Sequence, residues 1–158
     1  MLSLWKRDDA FAEKYFSKFP GYYDTGDAGY YDSDGYFHIM SRVDDIINTA
    51  GHRLSTGEME EIIMKNPKIA EAIVIGVNDE LKGEVPVGFV TLKSGQKADP
   101  KQIEKEIVKL IREDIGPVAS FKLCYLVQRL PRTRSGKYLR GVVKKMYDDQ
   151  PYSVPSTI

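Results

Sequence analysis

Three features of the sequence predict an α+β fold, a small mixed β-sheet covered by helices. Two segments, 55–66 and 99–115, repeat apolar residues at helical spacing between cap and stop signals. Two apolar runs, Ile69 to Val77 and Val85 to Leu92, are separated by a polar loop and read as paired strands. A third run, about Lys122 to Val127, precedes a last amphipathic helix, in a chain of 158 residues with room for one modest domain plus an additional segment.

At the N-terminal end, Asp8 or Asp9 can cap a short helix carrying Phe11, Tyr15, Phe16 and Phe19, which Pro20-Gly21 ends. Those aromatics need something large to pack on. Two tyrosine-rich stretches, Tyr22 to Tyr31 and Tyr36 to Met40, flank Asp32-Ser33-Asp34-Gly35, so turn chemistry between residues of high strand propensity predicts a hairpin at the edge of something larger. Segment 41–53 reads as a charged linker at the junction with the compact domain. Beyond it, Ser55-Thr56 supplies a cap, Glu58 can close a capping box, and Met59, Ile62 and Ile63 form one apolar face before Asn66-Pro67 stops the helix. Asp99 caps and Pro100 opens the next helix, whose Ile103, Ile107, Leu110 and Ile111 share a face as far as Gly116-Pro117. Leu139, Val142, Val143 and Met146 mark the last one.

With 23 basic and 23 acidic side chains the net charge is zero, which excludes a global field drawing nucleic acid or an anionic membrane. Any anion must be held by local cations. The single cysteine, Cys124, lies in the apolar run 123–127 and reads as a buried, reduced thiol. No stretch approaches the roughly 20 apolar residues of a membrane span, and the N-terminus lacks the pattern of a secretory signal, so a reducing compartment is expected, either cytoplasm or mitochondrial matrix. His38 and His52 have no carboxylate or serine spaced for a metal site or a triad; His38 reads as structural, His52 as a possible loop contact, and no metal site is expected.

Three segments can carry chemistry. The loop Pro131-Arg132-Thr133-Arg134-Ser135-Gly136-Lys137 packs three cations, two hydroxyls and a glycine between a strand and a helix, which suits a phosphate or carboxylate, or else a solvated basic turn. Its glycine permits close backbone approach, and the start of the following helix offers free N–H groups. The cluster from Ser41-Arg42-Val43-Asp44-Asp45 to Gly51-His52-Arg53 lies where a hinge belongs, with a solvated linker as the plainer reading. Finally, Asp27 in Tyr23-Asp24-Thr25-Gly26-Asp27 can accept hydrogen bonds from a vicinal diol.

Taken together, Tyr-x-Thr-Gly-Asp at Tyr23 to Asp27, Arg-x-Asp followed by Gly-x-Arg at Arg42 to Arg53, and Arg-Ser-Gly-Lys at Arg134 to Lys137 resemble, in order and spacing, the signatures of the adenylate-forming superfamily. The resemblance is specifically to the AMP-forming acetyl-CoA and propionyl-CoA synthetases and runs from about Phe19 to the end of the chain. Gly51-His52-Arg53, Ile115-Gly116-Pro117 and the closing Pro151-Tyr152 to Ser156-Thr157-Ile158 look more like the propionyl type, and Ser41 stands where many relatives have glycine.

This resemblance implies the fold of the C-terminal domain of adenylate-forming enzymes. Residues 1–43 would be the tail end of a larger N-terminal, adenylate-binding domain, 44–150 a mobile catalytic lid and 151–158 a C-terminal tail. It implies a ligase forming a carbon–sulfur bond in two steps from a short carboxylic acid, ATP with Mg2+, and CoA, none of them expected to stay tightly bound to this chain. The resemblance assigns adenylation to Lys137, the ribose hydroxyls to Asp27, the ribose and a neighbouring phosphate to Arg42, and the nucleotide phosphate to Arg53. Asp44 would be the pivot, Gly51 would line the pantetheine tunnel and Arg112 would lie near the 3′-phosphate of CoA. Implied partners are the N-terminal domain of the same enzyme and enzymes that acylate or deacylate Lys137. Because the phosphate loop and acyl pocket belong to that N-terminal domain, the chain alone is expected to be inactive. Two other readings stay open: a non-catalytic CoA- or nucleotide-binding module or acylation target, and a medium-chain, long-chain or aryl ligase of the same superfamily.

Overall fold

The computed structural model describes residues 3–153, so Ser156-Thr157-Ile158 and most of the segment 151–158 lie outside the described residues. The chain divides into two compact units between Asp44 and Asp45.

In the first unit, helix α1 (Asp8–Phe16) is capped differently from the sequence expectation. Arg7 is the N-cap residue and no side chain caps the helix, while Asp8 and Asp9 occupy the first turn, where their charge opposes the positive end of the helix dipole. No residue of α1 is buried, and its rings pack locally: Phe11 on Tyr15 at 5.4 Å and on Phe16 at 5.5 Å, with Tyr15 stacked on Tyr23 at 5.0 Å. Strands β1 (Asp27–Tyr31) and β2 (Phe37–Arg42) form the expected antiparallel hairpin, with a register shift between Ala28 and Gly29. Asp32 organises its turn, accepting from Asp34 N at 3.0 Å, Tyr36 N at 2.8 Å and His38 Nε2 at 2.7 Å. The His38 hydrogen bond first, then the Tyr36 N–H, holds the Asp32 carboxyl below its ordinary range.

The second unit is a three-layer α+β domain. Its elements are β3 (Ile46–Thr49), β4 (His52–Ser55), α2 (Thr56–Met64), β5 (Ile69–Asp79), β6 (Gly83–Leu92), α3 (Pro100–Asp114), β7 (Leu123–Leu126) and α4 (Arg140–Tyr147). β6 is the spine of the sheet. One edge of it pairs antiparallel with β5 along its whole length; the other is shared by β3, at Thr49 and Gly83, and by β7, which runs parallel from Val87/Leu123 to Val90/Leu126. A parallel neighbour needs a crossover, and α3 supplies it between β6 and β7.

Local signals explain the helices. Ser55 caps α2 by accepting from Glu58 N at 3.3 Å, and Asp99 caps α3 by accepting from Gln102 N at 3.0 Å, with Pro100 at the start. Ile103, Ile107 and Ile111 of α3 are fully buried, each worth about 1.5–3 kcal/mol of apolar transfer. They join Met59, Ile62 and Ile63 of α2 and Val74 and Val90 of the sheet in one core. On the other face, Ile73, Ile75, Val77, Val87 and Leu130 pack with Val143 of α4. β5 is covered on both faces, which is why it reads as a continuous apolar run rather than an alternating one.

Segment 41–53 is not the linker its charges suggest. Asp45 is followed by a tight hairpin in which Ile47 and Thr49 are buried while Asn48 faces out. Ala50 (φ 49°) and Gly51 (φ 86°) are its two turn residues, the pair of positive φ values that a two-residue type I′ turn demands. The polar Asn48 and Thr49 shorten the apolar signal to two isoleucines, so the alternation is too brief to stand out.

Cys124 lies within the α3-side core, and burial, with a smaller contribution from the charge of Glu104, pushes its thiol up to about 12. The thiolate is the reactive form, so the folded chain at pH 8 should resist iodoacetamide while the chain in guanidinium chloride is alkylated to completion. Equal alkylation in both conditions, read by mass spectrometry, would show that the thiol is accessible.

Candidate functional site

The basic loop folds as a narrow hairpin closed by a bridge between Arg132 and Tyr138. Thr133 N donates to the Lys137 carbonyl at 2.8 Å, and Gly136 N donates to the Thr133 carbonyl at 2.8 Å. Lys137 N donates to Thr133 Oγ1 at 3.1 Å, and the Thr133 and Ser135 hydroxyls lie 2.9 Å apart. These bonds use the N–H groups of Thr133, Gly136 and Lys137, and α4 begins only at Arg140. The exposed cations of the loop are the groups it offers an anion through side chains. Arg134 and Lys137 are exposed, and neither side chain has a hydrogen-bond or ion-pair partner among the described residues.

Arg132 behaves differently. Its Nη2 donates to Glu71 Oε1 of β5 at 2.7 Å and to the Tyr138 hydroxyl at 2.6 Å, and the guanidinium lies over the Tyr138 ring at 4.2 Å.

In the first unit, Asp27 and Arg42 face each other at the open end of the β1–β2 hairpin. Arg42 Nη1 donates to the Thr25 carbonyl at 2.7 Å and to Asp27 Oδ1 at 3.3 Å. Gly26 makes room for this: a Cβ there would sit 2.7 Å from Arg42 Nη2, and φ of 71° is a conformation side chains avoid. Asp24 Oδ1 accepts from Gly26 N at 2.8 Å, completing the turn. Asp44 falls in a 3₁₀ turn, Val43–Asp45, at the division between the units.

Gly51 forms the exposed tip of the β3–β4 turn, and Arg53 lies on β4 opposite Asn48, also exposed. Ala50 N donates to the Lys82 carbonyl at 2.8 Å, which docks that tip on the β5–β6 turn. The Lys82 ammonium donates to Ser120 Oγ at 2.7 Å and, with Arg112 and Lys122, lines a pocket of about 260 Å³. Lys82 thus links the neighbourhoods of Gly51 and Arg112, 61 positions apart in sequence (112 − 51). No hydrogen bond or ion pair among the described residues joins the Lys137 hairpin to Gly51, Arg53 or Arg112.

One constellation has no local signature in the sequence. Arg140, at the start of α4, donates to Glu60 of α2 at 2.6–3.1 Å and lies 3.7 Å from Asp45, the first residue of the second unit. Glu60 Oε1 also accepts from Val74 N at 2.9 Å, capping a backbone donor on β5. Among the described residues no group of three or more His, Cys, Asp or Glu side chains is placed to hold a metal, and no helix is long and apolar enough to cross a membrane.

Comparison with known proteins matches residues 58–137 to the family described as the AMP-binding enzyme C-terminal domain. The chain is 54% identical over 156 residues to the mitochondrial acyl-CoA synthetase short-chain family member B of Dictyostelium discoideum, covering 99% of this chain and 23% of that protein. It is 42% identical over 157 residues to the acetyl-coenzyme A synthetase of Bdellovibrio bacteriovorus, covering 99% of this chain and 24% of that one. Among solved structures, the ATP-bound RpMatB-BxBclM chimera aligns with a TM-score of 0.75 at 28% identity, over 92% of this chain and 28% of that chain. The chain thus spans about a quarter of the length of the curated relatives it matches.

Proposed function

Because this chain belongs to the AMP-binding enzyme C-terminal domain family, we propose that it is the C-terminal part of an AMP-forming short-chain acyl-CoA synthetase, working with an N-terminal domain of the same enzyme. Its substrates are a small carboxylic acid such as acetate or propionate, MgATP and CoA. In the first half-reaction a carboxylate oxygen attacks the α-phosphorus of MgATP, the bond to the β-phosphate breaks, and pyrophosphate leaves an acyl-adenylate. In the second, the CoA sulfur attacks the acyl carbon, its proton is lost to solvent or a base, and AMP departs as the thioester forms.

The observation that carries this reading is Lys137, an exposed cation without a partner among the described residues, on the returning arm of an internally bonded hairpin. Its ammonium contacts the carboxylate and the α-phosphate, where negative charge gathers in the adenylation transition state. Asp27 accepts from the ribose hydroxyls, Arg42 contacts the ribose and a neighbouring phosphate, and Arg53 the nucleotide phosphate. For the second half-reaction residues 44–150 turn about Asp44 as a mobile lid, Gly51 lines the pantetheine tunnel and Arg112 lies near the 3′-phosphate of CoA. The docking of the Gly51 turn on Lys82, which shares a pocket with Arg112, supports this pairing. Lysine-acylating and deacylating enzymes act on Lys137, cancelling and restoring its charge. The short-chain names of the relatives support the acyl preference, and the mitochondrial one supports the matrix as a location beside the cytoplasm.

The test measures the two half-reactions separately in the full-length enzyme carrying Asp44→Pro. Proline fixes φ near −65° and should trap one domain orientation, slowing one half-reaction by at least about tenfold and leaving the other near normal. Normal rates for both would remove Asp44 from the role of pivot.

A further inference from the structure

We infer that Arg132 is a positioning residue for adenylation, holding the Lys137 hairpin against β5 through a bracket with Glu71 and Tyr138. The inference rests on the proposed role of Lys137; it adds Glu71 and Tyr138, to which neither the motifs nor the family resemblance gives a part, and gives Arg132, so far only one of the loop's three cations, a specific one.

The hairpin is stiff within itself, through the Thr133–Lys137 and Thr133–Gly136 bonds, but internal bonds do not aim it. Aim requires a tether to the sheet. Arg132 supplies it: one amino group reaches both Glu71 at 2.7 Å and the Tyr138 hydroxyl at 2.6 Å, the other reaches the Gly136 carbonyl at 3.4 Å, and the ring of Tyr138 lies beneath the guanidinium at 4.2 Å. Tyr138 directly follows Lys137, so the bracket grips the chain next to the working lysine and at the glycine just before it. Arg132 Nε is buried without a partner among the described residues, a desolvation cost that indicates a side chain held in place by its other contacts.

Energy alone does not explain the arrangement. The Arg132 and Glu71 side chains are 37% and 34% exposed, and a pair at that exposure contributes little to stability. Its consequence is geometric. A lysine ammonium sits on a long flexible stem, and a displacement of about 1 Å from the reacting atoms can cost roughly 10²-fold in rate. Planarity also matters: guanidinium can stack on the ring and bond in the same plane, whereas a lysine at 132 can keep only the point charge.

The experiment uses the full-length enzyme and measures acyl-adenylate formation and thioester formation from supplied adenylate separately, for Arg132→Ala, Arg132→Lys, Glu71→Gln and, as reference, Lys137→Ala. Arg132→Ala should lower the first rate by roughly 10- to 100-fold with the ATP KM little changed, and leave the second within about twofold. Glu71→Gln should show a smaller loss in the same step, and Arg132→Lys a partial rescue. Limited trypsin digestion gives a reading independent of activity: cleavage after Arg134 should be several-fold faster in Glu71→Gln, which also decides the matter should Arg132→Ala fail to fold. Equal slowing of both steps, or unchanged adenylation together with unchanged cleavage, overturns the inference when Lys137→Ala retains its selective defect. Loss of that selective defect in Lys137→Ala itself instead brings down the proposed function, and the inference with it.

Discussion

Lys137→Ala in the full-length enzyme should slow acyl-adenylate formation by about 10²–10³-fold and leave thioester formation from supplied acyl-adenylate near normal. The selectivity follows from where charge develops. In adenylation, negative charge accumulates on the α-phosphoryl oxygens as the carboxylate attacks, and a positioned ammonium stabilises that charge more in the transition state than in bound MgATP. Lys137 is exposed and engaged by no acid among the described residues, so this contact costs it no existing ion pair. Under the proposed function, in the second half-reaction a neutral thiol would attack an acyl carbon already activated by its adenylate, with the hairpin turned away. Pyrophosphate release with a short-chain acid reports the first step, and AMP release from synthetic acyl-adenylate and CoA reports the second. Parallel loss of both would place Lys137 in general folding or binding rather than in adenylation.

Arg140→Ala should destabilise the second unit by about 2–3 kcal/mol, below the roughly 3–5 kcal/mol of a fully buried pair because the Arg140 and Glu60 side chains are still 27% and 14% exposed. The loss strands Glu60 in a site that already works against its charge. Burial pushes its carboxyl above the ordinary value, even with hydrogen bonds from Arg140 and Val74 and the charge of Arg140 pulling it down. For Arg140 the balance tips the other way: burial lowers it, but the bonds and charge of Glu60, with the charge of Asp45, raise it overall.

The sign of the pH dependence follows. A carboxyl whose folded value is raised binds its proton more readily in the native than in the unfolded state. Glu60 therefore contributes most below the unfolded carboxylate value and loses that contribution as pH rises through the folded value. Removing Arg140 takes away two of the influences that hold the folded value down, so the penalty in Arg140→Ala should be larger at pH 7 than at pH 5. Urea denaturation at the two pH values measures it. A penalty independent of pH would show that Arg140 contributes through packing and not through Glu60.

Residues close in sequence determined much of this molecule. Ser55 and Asp99 cap their helices as their positions foretell, and Ile103, Ile107 and Ile111 face the core because helical spacing puts them on one stripe. The Asp32–Gly35 turn, the two long strands and the bounds of the basic loop were equally legible, since cap, turn and periodicity signals act over a few residues. Folding in three dimensions decided the rest. The sharing of one edge of β6 by β3 and parallel β7, the docking of Ala50 on Lys82, the Glu71–Arg132 bracket and the Arg140–Glu60–Asp45 cluster join positions 32 to 95 residues apart. No local propensity encodes such pairings. They depend on which strands become neighbours and which helix covers each face, and that choice is made only when separate apolar surfaces are buried together.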